Sequence, residues 1–106
     1  MSEDRKVAII TGSSQGLGAS IAIKLSQRNI NLVINYSNNK DMALKIKDEC
    51  VNNGVEAITV QADVSIDDDC KKLVQETINA FGKVDILVNN AGTTKFADHS
   101  KLDKLN

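Results

Sequence analysis

Three stretches of this sequence hold bare backbone or side chains able to do chemistry. The first is Thr11-Gly-Ser-Ser-Gln-Gly-Leu-Gly18, with glycines at 12, 16 and 18. Gly12 permits a sharp turn, Gly16 leaves the backbone open to a phosphate, and Gly18 lets a helix approach a sheet closely. The amides at a helix N-terminus behind such a loop face an anion, with the helix dipole assisting. Ser13, Ser14 and Gln15 can add side-chain donors. The spacing differs from Gly-x-Gly-x-x-Gly and lacks the Gly-Lys-Ser/Thr ending of a P-loop, which disfavours nucleoside triphosphate hydrolysis. An ordinary strand-to-helix turn is the plainer alternative. The loop's position, after the first apolar run and before the first helical period, weighs against it.

The second stretch is Tyr36-Ser-Asn-Asn-Lys40, a tyrosine and lysine four apart. Residues four apart would meet on one helical face, but Tyr36 precedes its helix and the spacing reads as coincidence. The third is Asn89-Asn-Ala-Gly92, a turn of small and amide side chains. Cys50 and Cys70 fall inside apolar helical patterns without Cys-x-x-Cys spacing, so they read as buried structural thiols and not as a metal or redox pair. No metal site is expected. His99 is a lone imidazole with no placed partner and reads as solvated.

The elements that must position these residues alternate in kind. Lys6–Thr11 is a short β-branched run, the type buried on both faces of a parallel sheet. Gly16–Arg28 turns helical, with Leu17, Ile21 and Leu25 expected on its inner face. Asn31–Asn35 is a second strand. Asn39–Asn53 is a helix with Ala43, Ile46 and Cys50 inward, and Gly54 is placed to end it in a left-handed cap. Glu56–Gln61 is a third strand. Ser65 is placed to cap a third helix, with Asp67, Asp68 and Asp69 favourable to its dipole. Its face is the cleanest in the chain: Ile66, Cys70, Leu73, Val74, Thr77, Ile78 and Phe81. Gly82 ends it, and Asp85–Asn89 is the fourth strand. The order β-α-β-α-β-α-β predicts an α/β fold, Rossmann-like, a parallel sheet of four strands with flanking helices.

Bulk properties narrow the class further. The 106 residues suit one small domain. Net charge is −1 without a basic stripe, and aromatics are only 3%, so neither phosphate-tracking nor base-stacking nucleic-acid binding is indicated. No apolar run approaches the ~20 residues needed to span a bilayer. No membrane partner is expected, and the cytoplasm is the expected compartment.

Taken together, Thr-Gly-x-x-x-Gly-x-Gly after strand one, Asp63-Val64 after strand three, Phe81-Gly-Lys-Val-Asp85 ahead of strand four and Asn89-Asn-Ala-Gly92 after it resemble the short-chain dehydrogenase/reductase family. Gly92-Thr-Thr-Lys-Phe96 and Leu102-Asp103 are similar to the next segment of family members. The resemblance runs from Lys6 onward. It implies a dinucleotide-binding domain over residues 6–92, a flexible N-terminus over 1–5, and a tail over 93–106 entering the next helix.

The resemblance also implies roles for single residues. Gly12, Ser14, Gly16, Leu17 and Gly18 would surround the pyrophosphate and neighbouring ribose, with Gln15 a further cofactor-binding residue. Asp63 would accept a hydrogen bond from the adenine amino group, beside the Val64 amide. Asn90, Ala91 and Gly92 would lie along the nicotinamide-side ribose, and Asn89 would steady the sheet by bonding neighbouring backbone. Tyr36 would wall the adenosine pocket, with Ser37 beside it. An acid at the end of strand two would bond a ribose 2′-hydroxyl and repel a 2′-phosphate; here none is present, while Ser37, Asn38 and Lys40 suit a phosphate. NADP is therefore preferred over NAD.

The family's catalytic serine and Tyr-x-x-x-Lys pair fall beyond this sequence, so no catalytic residue is assigned. The implied function is the NAD(P)-binding N-terminal portion of an oxidoreductase of alcohol, carbonyl or oxoacyl substrates, inactive alone. The alternative is a non-catalytic dinucleotide-binding or subunit-docking module. The outer edge of strand four is expected to be open, favouring self-association or a partner that completes the sheet.

Overall fold

The computed structural model describes residues 5–91, so Gly92 and the tail over 93–106 lie outside the described residues. The order is β1 (Val7–Ile10), α1 (Gly16–Ser26), β2 (Asn31–Tyr36), α2 (Lys40–Asn52), β3 (Ala57–Gln61), α3 (Asp67–Phe81) and β4 (Ile86–Val88). The four strands form one parallel sheet in the order β3-β2-β1-β4. Ile9 lies opposite Val33 on one side and Leu87 on the other.

Alternation along the strands divides the core into two layers. Ala8, Ile10, Leu32, Ile34 and Tyr36 face α1 and α2, where Ala19, Ala22, Ala43, Ile46 and Cys50 meet them. Val7, Ile9, Val33 and Val60 face α3, with Cys70 and Leu73 buried against them. The chain steps outward from β1 to β3, then returns across the sheet to β4. Right-handed crossovers therefore put α1 and α2 on one face and α3 on the other. The strand order reverses between β1 and β4, the place where open α/β sheets leave a crevice at their carboxyl ends.

Helix ends obey local chemistry. The Asn39 side chain accepts from the Met42 amide at 3.1 Å to start α2. Gly82, with φ +82°, ends α3 in the left-handed conformation, and Gly54 after α2 has φ +98°. Two sequence expectations are corrected at α3. Ile66 and not Ser65 occupies the N-cap, and no side chain caps the helix. The Asp63 carboxylate captures Ser65, accepting from its Oγ at 2.6 Å and its amide at 3.0 Å. Ile66 is 49% exposed, off the buried face that Cys70, Leu73 and Thr77 form.

The larger correction concerns α1. Leu17, expected inward, is 69% exposed, and Ile21 and Leu25 are only half-buried. Gly18, Ala19, Ala22 and Ser26 are the buried residues. The reason is steric: a Cβ at Gly18 would collide with the Gly12 carbonyl oxygen and lie 2.6 Å from the Asn90 side-chain nitrogen. Contact that close demands small residues, so the helix docks through them and turns Leu17 outward. Arg5, grouped with the N-terminus, is held at 2.8 Å to the Asn29 side-chain oxygen and 3.0 Å to the Gly54 carbonyl.

Candidate functional site

The carboxyl ends of all four strands converge on one crevice of about 230 Å³, lined by Gly12, Asn35, Ser37, Ala62, Asp63, Val64, Ser65 and Ala91. Each strand contributes through the first residues beyond it or at its end. The glycine loop leaves β1 with Gly12 at φ +60° and Gly16 at φ +61°, a region L side chains rarely adopt. A Cβ at Gly16 would meet nothing within 4 Å, so the backbone there opens onto free space. Gln15 is the N-cap of α1 with no side-chain cap bond, leaving first-turn amides free of a side-chain partner.

Thr11 joins that loop to the turn after β4. Its hydroxyl is fully buried and accepts from the amides of Asn90 at 3.0 Å and Ala91 at 3.1 Å. The Oγ1 proton has two acceptors at 3.4 Å, the Val88 carbonyl and the Asn89 side-chain oxygen. The Thr11 amide donates to Val88 at 3.0 Å, and Asn90 Nδ2 donates to the Gly12 carbonyl at 3.1 Å. Among the described residues, the Asn89 side chain meets the Thr11 hydroxyl, and Thr11 itself makes the backbone ties.

Ser13 fastens the loop to β2. Its Oγ donates to the Ile10 carbonyl at 2.7 Å and accepts from the Asn35 amide at 3.0 Å, while its own amide donates to the Asn35 carbonyl at 2.9 Å. Asp63, on the exposed rim, has its carboxyl lowered below the ordinary value by the Ser65 hydroxyl and amide. The Asp63 amide donates to Asp69 Oδ2 at 2.7 Å, tying the turn to α3. Beyond Ser37 and Asp63 the crevice continues into a second recess of about 250 Å³, lined by Ser37, Asn38, Gln61, Asp63, Asp69 and Lys72.

Of the residues singled out from sequence, Gly12, Ser37, Asp63, Val64 and Ala91 line the one crevice. Ser14 is buried within the glycine loop, whereas Gln15, Gly16 and Leu17 are exposed where α1 begins. Tyr36, expected as a pocket wall, is 8% exposed in the core layer under α1 and α2 and does not line this crevice. Tyr36 ends β2 and Lys40 begins α2, so the two never share a helical face. Gly92 lies outside the described residues. Sequence reasoning passed over Thr11 and Asn35 as site residues. The available signal was weak: a polar residue directly after an apolar run, at Thr11 after Ile10 and at Asn35 after Ile34. Cys50 and Cys70 are buried and not joined in a disulfide; burial pushes the Cys50 thiol up.

Residues 6–106 match the family model described as short chain dehydrogenase. The chain belongs to that family. Among curated short-chain dehydrogenase relatives, the 3-oxoacyl-[acyl-carrier-protein] reductase FabG of Staphylococcus epidermidis is 43% identical over 90 residues, covering 85% of this chain and 37% of that protein. Among solved structures, a short-chain dehydrogenase/reductase from Burkholderia xenovorans superposes with a TM-score of 0.81 at 30% identity, covering 97% of this chain and 42% of the other. A dehydrogenase from Burkholderia cenocepacia with bound NADP superposes with a TM-score of 0.78 at 30% identity, covering 83% and 34%. The sequence thus spans well under half the length of these short-chain dehydrogenases. Among the described residues no helix is long and apolar enough to cross a membrane.

Proposed function

We propose that the crevice binds the adenosine and pyrophosphate part of a nicotinamide dinucleotide, NADP in preference to NAD, as the cofactor half of an oxidoreductase of alcohol, carbonyl or oxoacyl substrates. The observation that carries this reading is the convergence of Gly12, Ser37, Asp63, Val64 and Ala91, from four different strand ends, on a single lining. The open backbone at Gly16 fits a phosphate, which needs close approach to amides and no intervening Cβ. When bound, the nicotinamide ring supplies or accepts the hydride.

This chain's own residues bind and orient. The glycine loop presents amides to the pyrophosphate. The ionised Asp63 carboxylate offers an acceptor to the adenine amino group, and its lowered pKa keeps that acceptor available in weakly acidic solution. Asn90 and Ala91, clamped by Thr11, carry the nicotinamide-side ribose. The preference for NADP rests on the exposed stretch Ser37-Asn-Asn-Lys40, which offers hydroxyl, amide and ammonium donors and no carboxylate. Among the described residues β4 pairs with β1 alone, and its other side is where a further strand would pair. Two buried cysteines without a disulfide suit a reducing, cytoplasmic setting.

A thermal melt with saturating NADPH or NADH tests the reading. Ligand at about 100 times its Kd adds about 2.7 kcal/mol to the folded state, a rise of about 10–20 °C for a domain of this size. A larger rise with NADPH is expected. A melt unmoved by either cofactor would refute the assignment, and a larger rise with NADH would reverse the preference.

A further inference from the structure

β2 is buried along its whole length, and its one buried polar side chain near the crevice, Asn35, is 2% exposed. Its Oδ1 accepts from the Gly12 amide at 3.0 Å. Its Nδ2 donates to the carbonyls of Ala62 at 3.1 Å and Val60 at 3.3 Å, with the Tyr36 carbonyl at 3.5 Å. One amide group therefore spans from the glycine loop, across β2, to the end of β3. Both backbone segments line the crevice. Thr11 ties the loop to β4 on the opposite side, so the loop is held from both flanks.

We propose that Asn35 is a positioning residue that presets the crevice, fixing the glycine loop and the Ala62–Asp63 turn at one separation before any ligand arrives. Its value to cofactor affinity rests on the dinucleotide-binding reading; the preset geometry itself does not. The chemistry demands an amide. The loop side offers an N–H and needs an acceptor, while the β3 side offers carbonyls and needs donors. Leucine matches the shape but leaves the Gly12 amide and the carbonyls without these bonds. An ionised aspartate would face carbonyl oxygens with a carboxylate. A protonated aspartic acid, by contrast, restores one acceptor and one donor.

The test is amide hydrogen exchange on the ligand-free chain, wild type against Asn35→Asp, each referred to wild type at the same pH. At pH 5 the variant's Gly12 protection is expected near wild type. At pH 8 it is expected to fall at least about tenfold, the loss of one buried hydrogen bond, while the Ile9 and Ile34 amides keep theirs. Among the described residues, Asp63 is the only titratable one lining the crevice besides the introduced one, and its lowered carboxyl stays ionised over this range. NADPH affinity should weaken by a similar factor at pH 8 only. Ser13→Ala, which removes a neighbouring tie but leaves the Asn35 amide in place, should keep Gly12 protected.

A wild-type Gly12 amide that exchanges freely beside protected sheet amides would overturn the proposal. So would a folded Asn35→Asp variant without pH dependence, or equal loss of protection in Ser13→Ala. If Asn35→Asp does not fold at pH 8, the wild-type and Ser13→Ala measurements decide alone. Protected Gly12 in a wild-type chain that binds no NADPH would support the positioning role while refuting the cofactor reading.

Discussion

The two faces of the sheet are covered by opposite means. α3 lies on its face through Leu73, Thr77 and Cys70, with Val74, Ile78 and Phe81 packed at the margin. α1 lies on the other through Gly18, Ala19, Ala22 and Ser26. The α3 contact is built from bulk, and bulk supplies burial energy. The α1 contact is built from the absence of bulk, which brings the helix start hard against the glycine loop and the Asn90 side chain. One face stabilises; the other sets distances at the crevice.

Substitutions can separate those roles. The largest effect on stability is expected from Leu73→Ala, which empties a fully buried site and should cost about 2–5 kcal/mol in denaturant unfolding. Its NADPH affinity, measured where the variant is folded, should stay near wild type. Gly18→Ala should cost less stability, about 1–3 kcal/mol, because one methyl forces backbone apart. Yet it should abolish measurable NADPH binding by calorimetry, since the displaced groups are the Gly12 carbonyl and the Asn90 amide. Equal affinity losses in both variants would dissolve the distinction between the faces.

The smallest effect sharpens the boundary between them, at the head of α3. Ser65→Ala removes one of the two donors that lower the Asp63 carboxyl, so its pKa should rise toward the ordinary carboxylate value in an NMR titration. Linkage gives the sign. A depressed carboxyl pKa contributes stability above its unfolded value and loses it as pH falls through the folded value. In the variant that contribution is smaller and its loss is complete at a higher pH, and NADPH affinity should begin to fall at higher pH as well. An unchanged Asp63 titration would mean that the Ser65 amide alone holds the carboxylate.

The same contrast explains what could be read from the residues alone. The α3 face is written in large apolar side chains at helical spacing, and all but Ile66 lie where that period puts them. The strand order comes from alternation and crossover handedness. The α1 face was misread because glycine, alanine and serine carry almost no hydrophobic signal, and Leu17, Ile21 and Leu25 outweigh them in any periodicity. Ser65 was misplaced for a related reason: its suitability as a cap is local, whereas the carboxylate that takes it stands two residues earlier. The crevice was legible where motifs name it, at Gly12, Asp63 and Ala91. It was not legible at Thr11 and Asn35, whose importance comes from partners many residues away.

The Thr11 ties have a temporal meaning too. Thr11 and its partners Asn90 and Ala91 are 79 and 80 residues apart. Loops of that span close late, after the local βα units have formed. During synthesis from the N-terminus, β1, α1 and β2 can assemble while the glycine loop still lacks its second flank. On the dinucleotide-binding proposal, competence to hold the ligand arrives with the return of the chain to β4, so ligand affinity would report that the longest-range pairing in the described fold has been made.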